Sequence, residues 1–357
     1  MTALYGVASD IHLHNWTAFA GPKVNGVNER LNILLRELEK VSQKVIDVGG
    51  HRLVITGDLF HVRGSITPSV INPTLTTFRK MIDKGLTEIV VLAGNHDLES
   101  KNSSSLTNAC EILSQIPEIK VVSDTCIDET TLSLYVPWHD SCEDLMVTIN
   151  NYMCHLEGNV AEYDLFIHAP VDDVLPNMPN HGIGPDDLKN LGFRYVFSGH
   201  YHNHKEVRAD VFSVGALTHQ TWGDSKSKAG YMIVGEDSIQ HFESDAPKFE
   251  DYDATSSMTD EETLEICKGN YVRVKLSTAT QSEVEEIRRQ MRYEFQAKDC
   301  IIQSIATSKV VSRTSTASKS TSLRESVAEF IKAKSLTVKE SDLTAECEDI
   351  LSATVDV

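Results

Sequence analysis

Five short polar motifs recur in order along roughly the first 220 residues, and each stands where an apolar strand should end. They are Ser9-Asp10-Ile11-His12, Gly57-Asp58-Leu59-Phe60-His61, Gly94-Asn95-His96-Asp97, Phe166-Ile167-His168 and Gly199-His200-Tyr201-His202. Four follow apolar runs, Leu53-Val54-Ile55, Ile89-Val90-Val91-Leu92, Leu165-Phe166-Ile167 and Tyr195-Val196-Phe197, and the first follows Leu4-Tyr5-Gly6-Val7. In layered α/β proteins ligands bind beyond the carboxyl ends of strands, so these loops are expected to converge on one cleft.

The segments between the motifs support that architecture. Residues 3–8 read as a strand. A helical pattern runs from Asn28 to about Val48, with Leu31, Leu34, Leu35, Leu38, Val41 and Val45 at helical spacing and Gly49-Gly50 ending it. A strand at 53–56, a helix over 68–84, a strand at 88–92 and a helix over 104–114 follow. Short strands are expected near 119–122 and 132–136, and a helix near 142–153. This alternation predicts a layered α/β core with a parallel component.

Short strands and turns fill 205–243 and close the core, giving a first domain of 1–243. Residues 244–262, rich in Asp, Glu, Ser and Thr, read as a linker or strap. A small βαβ-like unit follows, with a strand at 271–276, a charged helix at 281–297 and a strand at 300–305. With its leader it makes a small α+β domain, 244–306, too small for a large core of its own and expected to pack on the main domain. The Ser/Thr/Lys-rich stretch 307–322 reads as a flexible linker. In the tail 323–357, Leu323, Val327, Phe330 and Ile331 form a compact apolar stripe on a short helix, which either packs back on its own domain or docks in a partner's groove.

Composition narrows the function classes. A hydrophobic content of 41% and charged content of 24% suit a soluble globular protein. No apolar run approaches the roughly 18 residues of a membrane span, and no basic-then-apolar leader opens the chain. The seven cysteines are scattered, odd in number and without a CxxC pair, which points to reduced thiols and a cytoplasmic setting, with no membrane role. The net charge of −19 weighs against a protein that holds nucleic acid by phosphate contacts alone. Bound divalent cations would supply positive charge where a phosphate must sit, and a partner could supply more basic surface.

The motif residues suit a pair of divalent ions. Two ions roughly 3.5–4 Å apart can clamp the attacking and leaving oxygens of a phosphoester displacement. Asp58 is the natural bridging carboxylate. Asp10 and His12 sit at alternate positions and can share one ion. His200 and His202 repeat that spacing and can share an ion or divide between two. Asn95 offers a neutral oxygen and His168 a neutral nitrogen, a mixed set better suited to Mn²⁺, Fe²⁺ or Zn²⁺ than to Ca²⁺. Each motif alone is weak, since a lone Asp-x-His or His-x-His is more often a solvated turn. The strength lies in five together, in one order, at strand ends.

That set resembles the calcineurin-like metallophosphoesterases over roughly residues 3–235, which implies that the layered core is a β-sandwich flanked by helices. The wording of Gly57–His61 and Gly94–Asp97, followed by Gly215-Ala216-Leu217-Thr218 and Lys228-Ala229-Gly230-Tyr231, resembles the SbcD/Mre nuclease subfamily, and the compact length is similar to its phage-type members. The resemblance implies a metal-dependent DNA exo- or endonuclease in recombination, repair or replication. The alternative is a stand-alone phosphodiesterase or phosphatase on the same core. It implies Asp10, His12 and His202 on one ion, Asn95, His168 and His200 on the other, and Asp58 between them. Mn²⁺ is the first choice of ion, with Mg²⁺, Fe²⁺ and Zn²⁺ as alternatives. His96 would contact the scissile phosphate or leaving oxygen, Asp97 would orient His96, and His61 would lie near the phosphate. The small domain is similar to a DNA-capping domain, and residues 323–335 to a docking element for an SMC-like ATPase of the SbcC/Rad type. A homodimer and DNA as substrate belong to the same expectation. His14, Ala216 and His219 depart from the subfamily's usual pattern. His51, His139, His155, His181, His204 and His241 lie outside any motif and read as structural or exposed.

Overall fold

Short strands with alternating side chains dictate the layering. In the computed structural model the elements, in chain order, are β1 (Tyr5–Ala8), α1 (Glu29–Asp47), β2 (Arg52–Ile55), α2 (Pro68–Asp83), β3 (Glu88–Leu92), β4 (Ile119–Val122), β5 (Cys126–Asp128), β6 (Ser133–Val136) and α3 (Cys142–Met153). There follow β7 (Asp164–His168), α4 (Pro185–Asn190), β8 (Tyr195–Gly199), β9 (Lys205–Arg208), β10 (Val211–Ser213), β11 (Gly230–Val234), β12 (Ile239–Glu243), β13 (Phe249–Asp253), α5 (Asp260–Cys267), β14 (Tyr271–Leu276), α6 (Gln281–Tyr293) and β15 (Asp299–Ser304). The structure describes residues 4–304 apart from 101–104, 177, 179, 180, 237 and 277–279, together with residues 343 and 347. Residues 1–305 form one compact unit and 306–357 a second, so the expected linker 307–322 and docking helix 323–335 lie outside the described residues.

Two six-stranded sheets, ordered β12-β11-β1-β2-β3-β4 and β5-β6-β7-β8-β10-β9, stack face to face. Successive side chains on a strand point to opposite faces. Val54, Val90 and Leu92 of the first sheet therefore meet Tyr135, Phe166 and Phe197 of the second in the middle layer. Their neighbours Leu53, Ile55, Ile89 and Val91 turn outward and pack beneath the apolar stripe of α1 and Phe78 and Met81 of α2. Leu165, Ile167 and Val196 do the same beneath Leu145 and Ile149 of α3 and Leu188 of α4. Helix α1 begins where the Asn28 side chain accepts the N–H groups of Arg30 and Leu31, as a good N-cap does.

Strands β1 to β4 run parallel, as do β6, β7 and β8, so their carboxyl ends, and the motif loops, lie together at one end of the sandwich. At the opposite end a polar cluster joins the sheets. Asp164, at the start of β7, accepts the Tyr5 hydroxyl at 2.5 Å and both arms of the Arg194 guanidinium. Arg52, at the start of β2, pairs with Glu88 at 3.1 Å and bonds Ser133 across the sandwich.

The structure corrects the sequence reading in two places. The helix expected over 104–114 is not α-helical over its described residues, 105–114. Tight 3₁₀ turns occupy Ser105–Thr107 and Ala109–Gln115. Backbone bonds from Glu99 to Thr107 and from Ala109 to Asp97 tie this stretch to the 94–99 loop, and Asn108 restarts it by capping Cys110. Residues 244–262 are not a strap throughout. Strand β13 pairs parallel with β14, its Asp251 taking Arg273 at 2.5 Å and Lys275 at 2.9 Å, and Thr259 with Glu262 forms a capping box opening α5. The small unit is therefore a three-stranded all-parallel sheet, β13-β14-β15, with crossovers α5 and α6. Strands β5 and β12 and helix α4 are additions that the sequence reading did not mark.

The small sheet rests on the core through aromatic contacts. Phe19 stacks on Tyr271 at 4.6 Å, Trp222 meets Phe249 edge-on at 4.9 Å, and the buried Arg30 guanidinium lies 4.6 Å from Trp16 and 5.2 Å from Phe249. His219 takes the Phe249 N–H on Nδ1 at 3.0 Å, giving this unusual residue a structural use. All seven cysteines are free thiols, and among the described residues no helix is long and apolar enough to cross a membrane.

Candidate metal centre

Each motif begins within a residue or two of a buried strand end, and the chain must turn sharply there. Asp10, His12, Asp58 and His200 all have positive φ, at 50°, 52°, 52° and 101°. Such backbone is costly for residues with a side chain and collects at functional sites. The turns are also crowded. A Cβ on Gly57, itself at φ 100°, would lie 2.2 Å from the His168 ring, and one on Gly94 would lie 2.2 Å from the Asp58 carboxylate. Close approach requires both glycines, and at Gly57 the left-handed backbone requires one as well.

The seven residues expected as ligands come together in two adjoining groups. On one side His12 Nε2 lies 3.1 Å from His202 Nε2, 4.0 Å from Asp10 Oδ1 and 3.8 Å from Asp58 Oδ2. On the other, His168 Nε2 lies 3.2 Å from Asn95 Oδ1 and 3.5 Å from Asp58 Oδ1, and His200 Nδ1 lies 3.0 Å from the same Asn95 oxygen. Asp58 thus turns one oxygen to each group. Asp10 is tied in by the His200 N–H and the Ser9 hydroxyl on Oδ2.

Several of these atoms are short of ordinary partners. His168 donates Nδ1–H to the Thr56 carbonyl at 2.7 Å, which turns Nε2 toward two oxygens, a position for a proton or a cation. His202 donates Nδ1–H to Asp224 at 2.8 Å, so its Nε2 lone pair faces His12. Asp10 Oδ1 is buried with no hydrogen-bond partner. Acceptors crowded against acceptors call for a proton or a cation, and the donor set of imidazole, carboxylate and amide oxygen fits a divalent transition ion.

Electrostatics point the same way. Burial pushes His12 well below its ordinary pKa, His61 to about 4 and His200 to about 3, so these rings are neutral and carry lone pairs. Burial pulls His168 down too, but the Asp58 carboxylate outweighs it and lifts the ring to about 9. Burial raises Asp58, yet His168 and His12 together hold it below the usual carboxylate range.

His96 and His61 occupy the open flank of the first group. The His12, His61 and His96 rings lie within 5.3 Å of one another, and His14 lies 5.3 Å from His61, placing the unusual imidazole on this flank. His96 donates Nδ1–H to the His61 carbonyl at 2.7 Å, leaving Nε2 free. The structure therefore corrects the expectation for Asp97, because the orienting group on His96 is that backbone carbonyl. The Asp97 carboxylate instead accepts the N–H groups of Phe60 at 2.8 Å, Gly94 at 2.9 Å and Leu59 at 3.3 Å, riveting the Asp58 loop to the Asn95 loop.

Two residues escaped the sequence reading. Asp224 orients His202, and its only signal was the Thr221-x-x-Asp224 capping pattern. Trp138 stacks on His200 at 5.1 Å and lies edge-on to His168 at 6.0 Å, walling the second group. Asp224 sits at no strand end after an apolar run, whereas Trp138 follows β6 by two residues and carries no carboxylate or imidazole to mark it. Of the unassigned histidines, His204 and His241 stack at 3.8 Å away from the centre, and His139 bonds the Pro137 carbonyl.

A two-sheet α/β sandwich with a carboxylate-imidazole centre at its strand ends defines a metal-binding phosphoesterase class. The calcineurin-like phosphoesterase model matches residues 4–204, more than half of the chain, and the chain belongs to that family, whose members bind divalent metals. Among curated relatives it is 29% identical over 181 residues to exonuclease subunit 1 of Enterobacteria phage T4, covering 50% of each chain. It is 21% identical over 206 residues to the uncharacterized protein R555 of Acanthamoeba polyphaga mimivirus, covering 54% of this chain and 15% of that one. The chain thus spans half the length of the first relative and a small part of the second. Among solved structures, the protein TT1561 of Thermus thermophilus matches at 12% identity and TM-score 0.42, over 68% of this chain and 99% of that one. Nuclease MPE of Pseudomonas putida matches at 14% identity and TM-score 0.29, over 67% and 87%.

Proposed function

We propose that this protein is a two-metal DNA exo- or endonuclease. The observation that carries the two-ion reading is Asp58, with Oδ1 3.5 Å from His168 and Oδ2 3.8 Å from His12, one oxygen for each ligand group. Asp10, His12 and His202 would hold one ion, Asn95, His168 and His200 the other, and Asp58 both; Mn²⁺ suits this set best, with Mg²⁺, Fe²⁺ and Zn²⁺ as alternatives. Ions so held would neutralise charge developing on a phosphoryl group and acidify an attacking water.

The chain's own residues supply the rest. His96, with Nδ1–H on the His61 carbonyl, presents Nε2 to the cleft and is placed to deliver a proton to a leaving oxygen. His61, neutral through burial, stands beside it where the substrate phosphate would lie. Asp97 keeps the two loops in register and acts through them.

The likeness to a phage exonuclease subunit supports DNA as substrate and work as one subunit of a complex. With a net charge of −19, a partner that adds basic surface fits better than unaided DNA binding. On this reading residues 323–335 dock on an SMC-like ATPase, the small sheet covers the DNA, and the complex works in the cytoplasm. The test is cleavage of linear duplex and single-stranded DNA with Mn²⁺, Mg²⁺ or chelator, by the full chain and by a chain truncated after Ser322. The expected result is metal-dependent cutting by both, with ATPase co-purification and ATP stimulation only for the full chain. Metal-dependent hydrolysis of small phosphodiesters with no cutting of DNA would favour the stand-alone phosphodiesterase.

A further inference from the structure

We infer that Asp224 is the positioning residue of His202, fixing which ring nitrogen faces the metal centre; the inference rests on the two-ion reading above. His202 Nδ1 lies 2.8 Å from Asp224 Oδ1. The other carboxylate oxygen accepts the N–H groups of Gln220 at 2.7 Å and Thr221 at 2.8 Å. With both oxygens engaged and the residue 6% exposed, the carboxylate cannot turn. An imidazole whose Nδ1–H is bonded this way carries its lone pair on Nε2, the atom 3.1 Å from His12 Nε2.

The arrangement differs from those of the neighbouring rings. His168 and His96 give their Nδ1–H to backbone carbonyls, of Thr56 and His61. His202 gives its own to a carboxylate, a stronger acceptor that raises the basicity of the opposite nitrogen. The backbone of this loop is anchored separately, the His202 carbonyl accepting the Ala216 N–H at 3.0 Å, so Asp224 acts on the ring.

What holds Asp224 is the small sheet. Asp224 closes the 3₁₀ turn Trp222–Asp224, capped by Thr221. Trp222 packs edge-on against Phe249 of β13 and takes the Arg273 guanidinium of β14 at 4.7 Å from its ring centre. Arg30 adds a bond to the Gln220 carbonyl at 2.8 Å. A path of direct contacts therefore runs from the three-stranded sheet through Trp222 and Asp224 to one ligand of one ion.

Asp224→Asn on the full chain is the discriminating variant. An amide has one acceptor oxygen, so it cannot serve both His202 and the two backbone N–H groups. Mn²⁺ titration by equilibrium dialysis should show two ions on the wild type. In the variant one site should weaken about 10–100-fold, the usual effect of losing such an outer partner, while the other changes less than about threefold. Thr221→Ala, which loosens the turn and keeps the carboxylate, should leave both affinities within about threefold. Imidazole ¹⁵N shifts of the metal-free wild type should show His202 as the Nδ1–H tautomer, a readout that does not depend on any variant folding. Wild-type affinities in Asp224→Asn, equal weakening in Thr221→Ala, or an Nε2–H tautomer would each overturn the inference. A wild type that binds no ion, yet shows the Nδ1–H tautomer, would instead sink the two-ion reading and leave the Asp224–His202 pair standing.

Discussion

The two ends of the sandwich use the same kinds of residue for opposite purposes. At the amino ends of the parallel strands, Asp164, Arg194 and Tyr5 satisfy one another, and Arg52 finds Glu88 and Ser133. At the carboxyl ends, Asp10 Oδ1 has no partner, Nε2 of His202 faces Nε2 of His12, and Nε2 of His168 faces the Asn95 and Asp58 oxygens. One end is a closed polar network that locks the sheets. The other is held open, on strained backbone, by the fold around it. Buried polar groups normally come paired, so the unpaired end is the one with work to do.

The largest expected effect on this contrast comes from Asp58→Ala. Removing the shared carboxylate should empty or separate both ion positions and abolish hydrolysis, with the circular dichroism spectrum unchanged. Elemental analysis beside a nuclease assay checks it, and full Mn²⁺-dependent activity in the variant would refute the centre. Next comes His96→Ala, which should retain metal and lose about 10²–10⁴-fold in turnover. Loss of metal in step with activity would make His96 a ligand. At the closed end, Asp164→Ala should cost about 3 kcal/mol of stability by stranding Arg194 and the Tyr5 hydroxyl, with metal content unchanged. Chemical denaturation reads the first and dialysis the second; a loss of metal there would break the comparison.

The smallest effect is on pH dependence of the metal-free protein. His61 at about 4 and His200 at about 3 favour the neutral ring when folded. Below the unfolded value near 6.5 the unfolded chain binds more protons, so these groups lower stability as pH falls toward 4. His168, lifted to about 9, does the reverse: its contribution is complete below about 6.5 and is lost as pH rises through 9. Melting temperature should therefore peak near neutral pH without metal, and Mn²⁺ should remove the alkaline decline because the cation takes the place of the His168 proton. A melting temperature that climbs from pH 6.5 to 9 in chelator would contradict this assignment.

Much of the open end could be read from the chain alone. Apolar runs ending in Gly-Asp or Gly-Asn-His name strand ends and polar cargo together, and the structure sets all five motifs at those ends. Less could be read where a residue's use depends on the tertiary partner. Asp97 lies beside His96 in sequence, yet its carboxylate is turned onto the Phe60 and Gly94 N–H groups. Asp224 follows no apolar run and reaches His202 from a capped turn whose Trp222 packs on the small sheet. Strand β13 was hidden by its acidic residues, which look like linker until Arg273 and Lys275 of the adjacent strand neutralise Asp251. Its neighbour α5 did carry a local signal, the Thr259-to-Glu262 capping box.

The order of the ligands along the chain has a consequence for synthesis. Asp10, His12, Asp58 and Asn95 follow strands of the first sheet, whereas His168, His200 and His202 close or follow strands of the second. Strand β1 also pairs with β11, joining Tyr5 to Val234. At roughly 5–20 residues per second, the hundred or so residues between Asn95 and His202 take on the order of ten seconds to emerge from a ribosome. At the start of that interval the nascent chain carries four of the seven proposed ligands, and His168, His200 and His202 join as the second sheet emerges. On the proposed two-ion reading the ligand set therefore closes late, when the second sheet is complete and β11 returns to β1, and a nascent chain shorter than that should bind metal poorly.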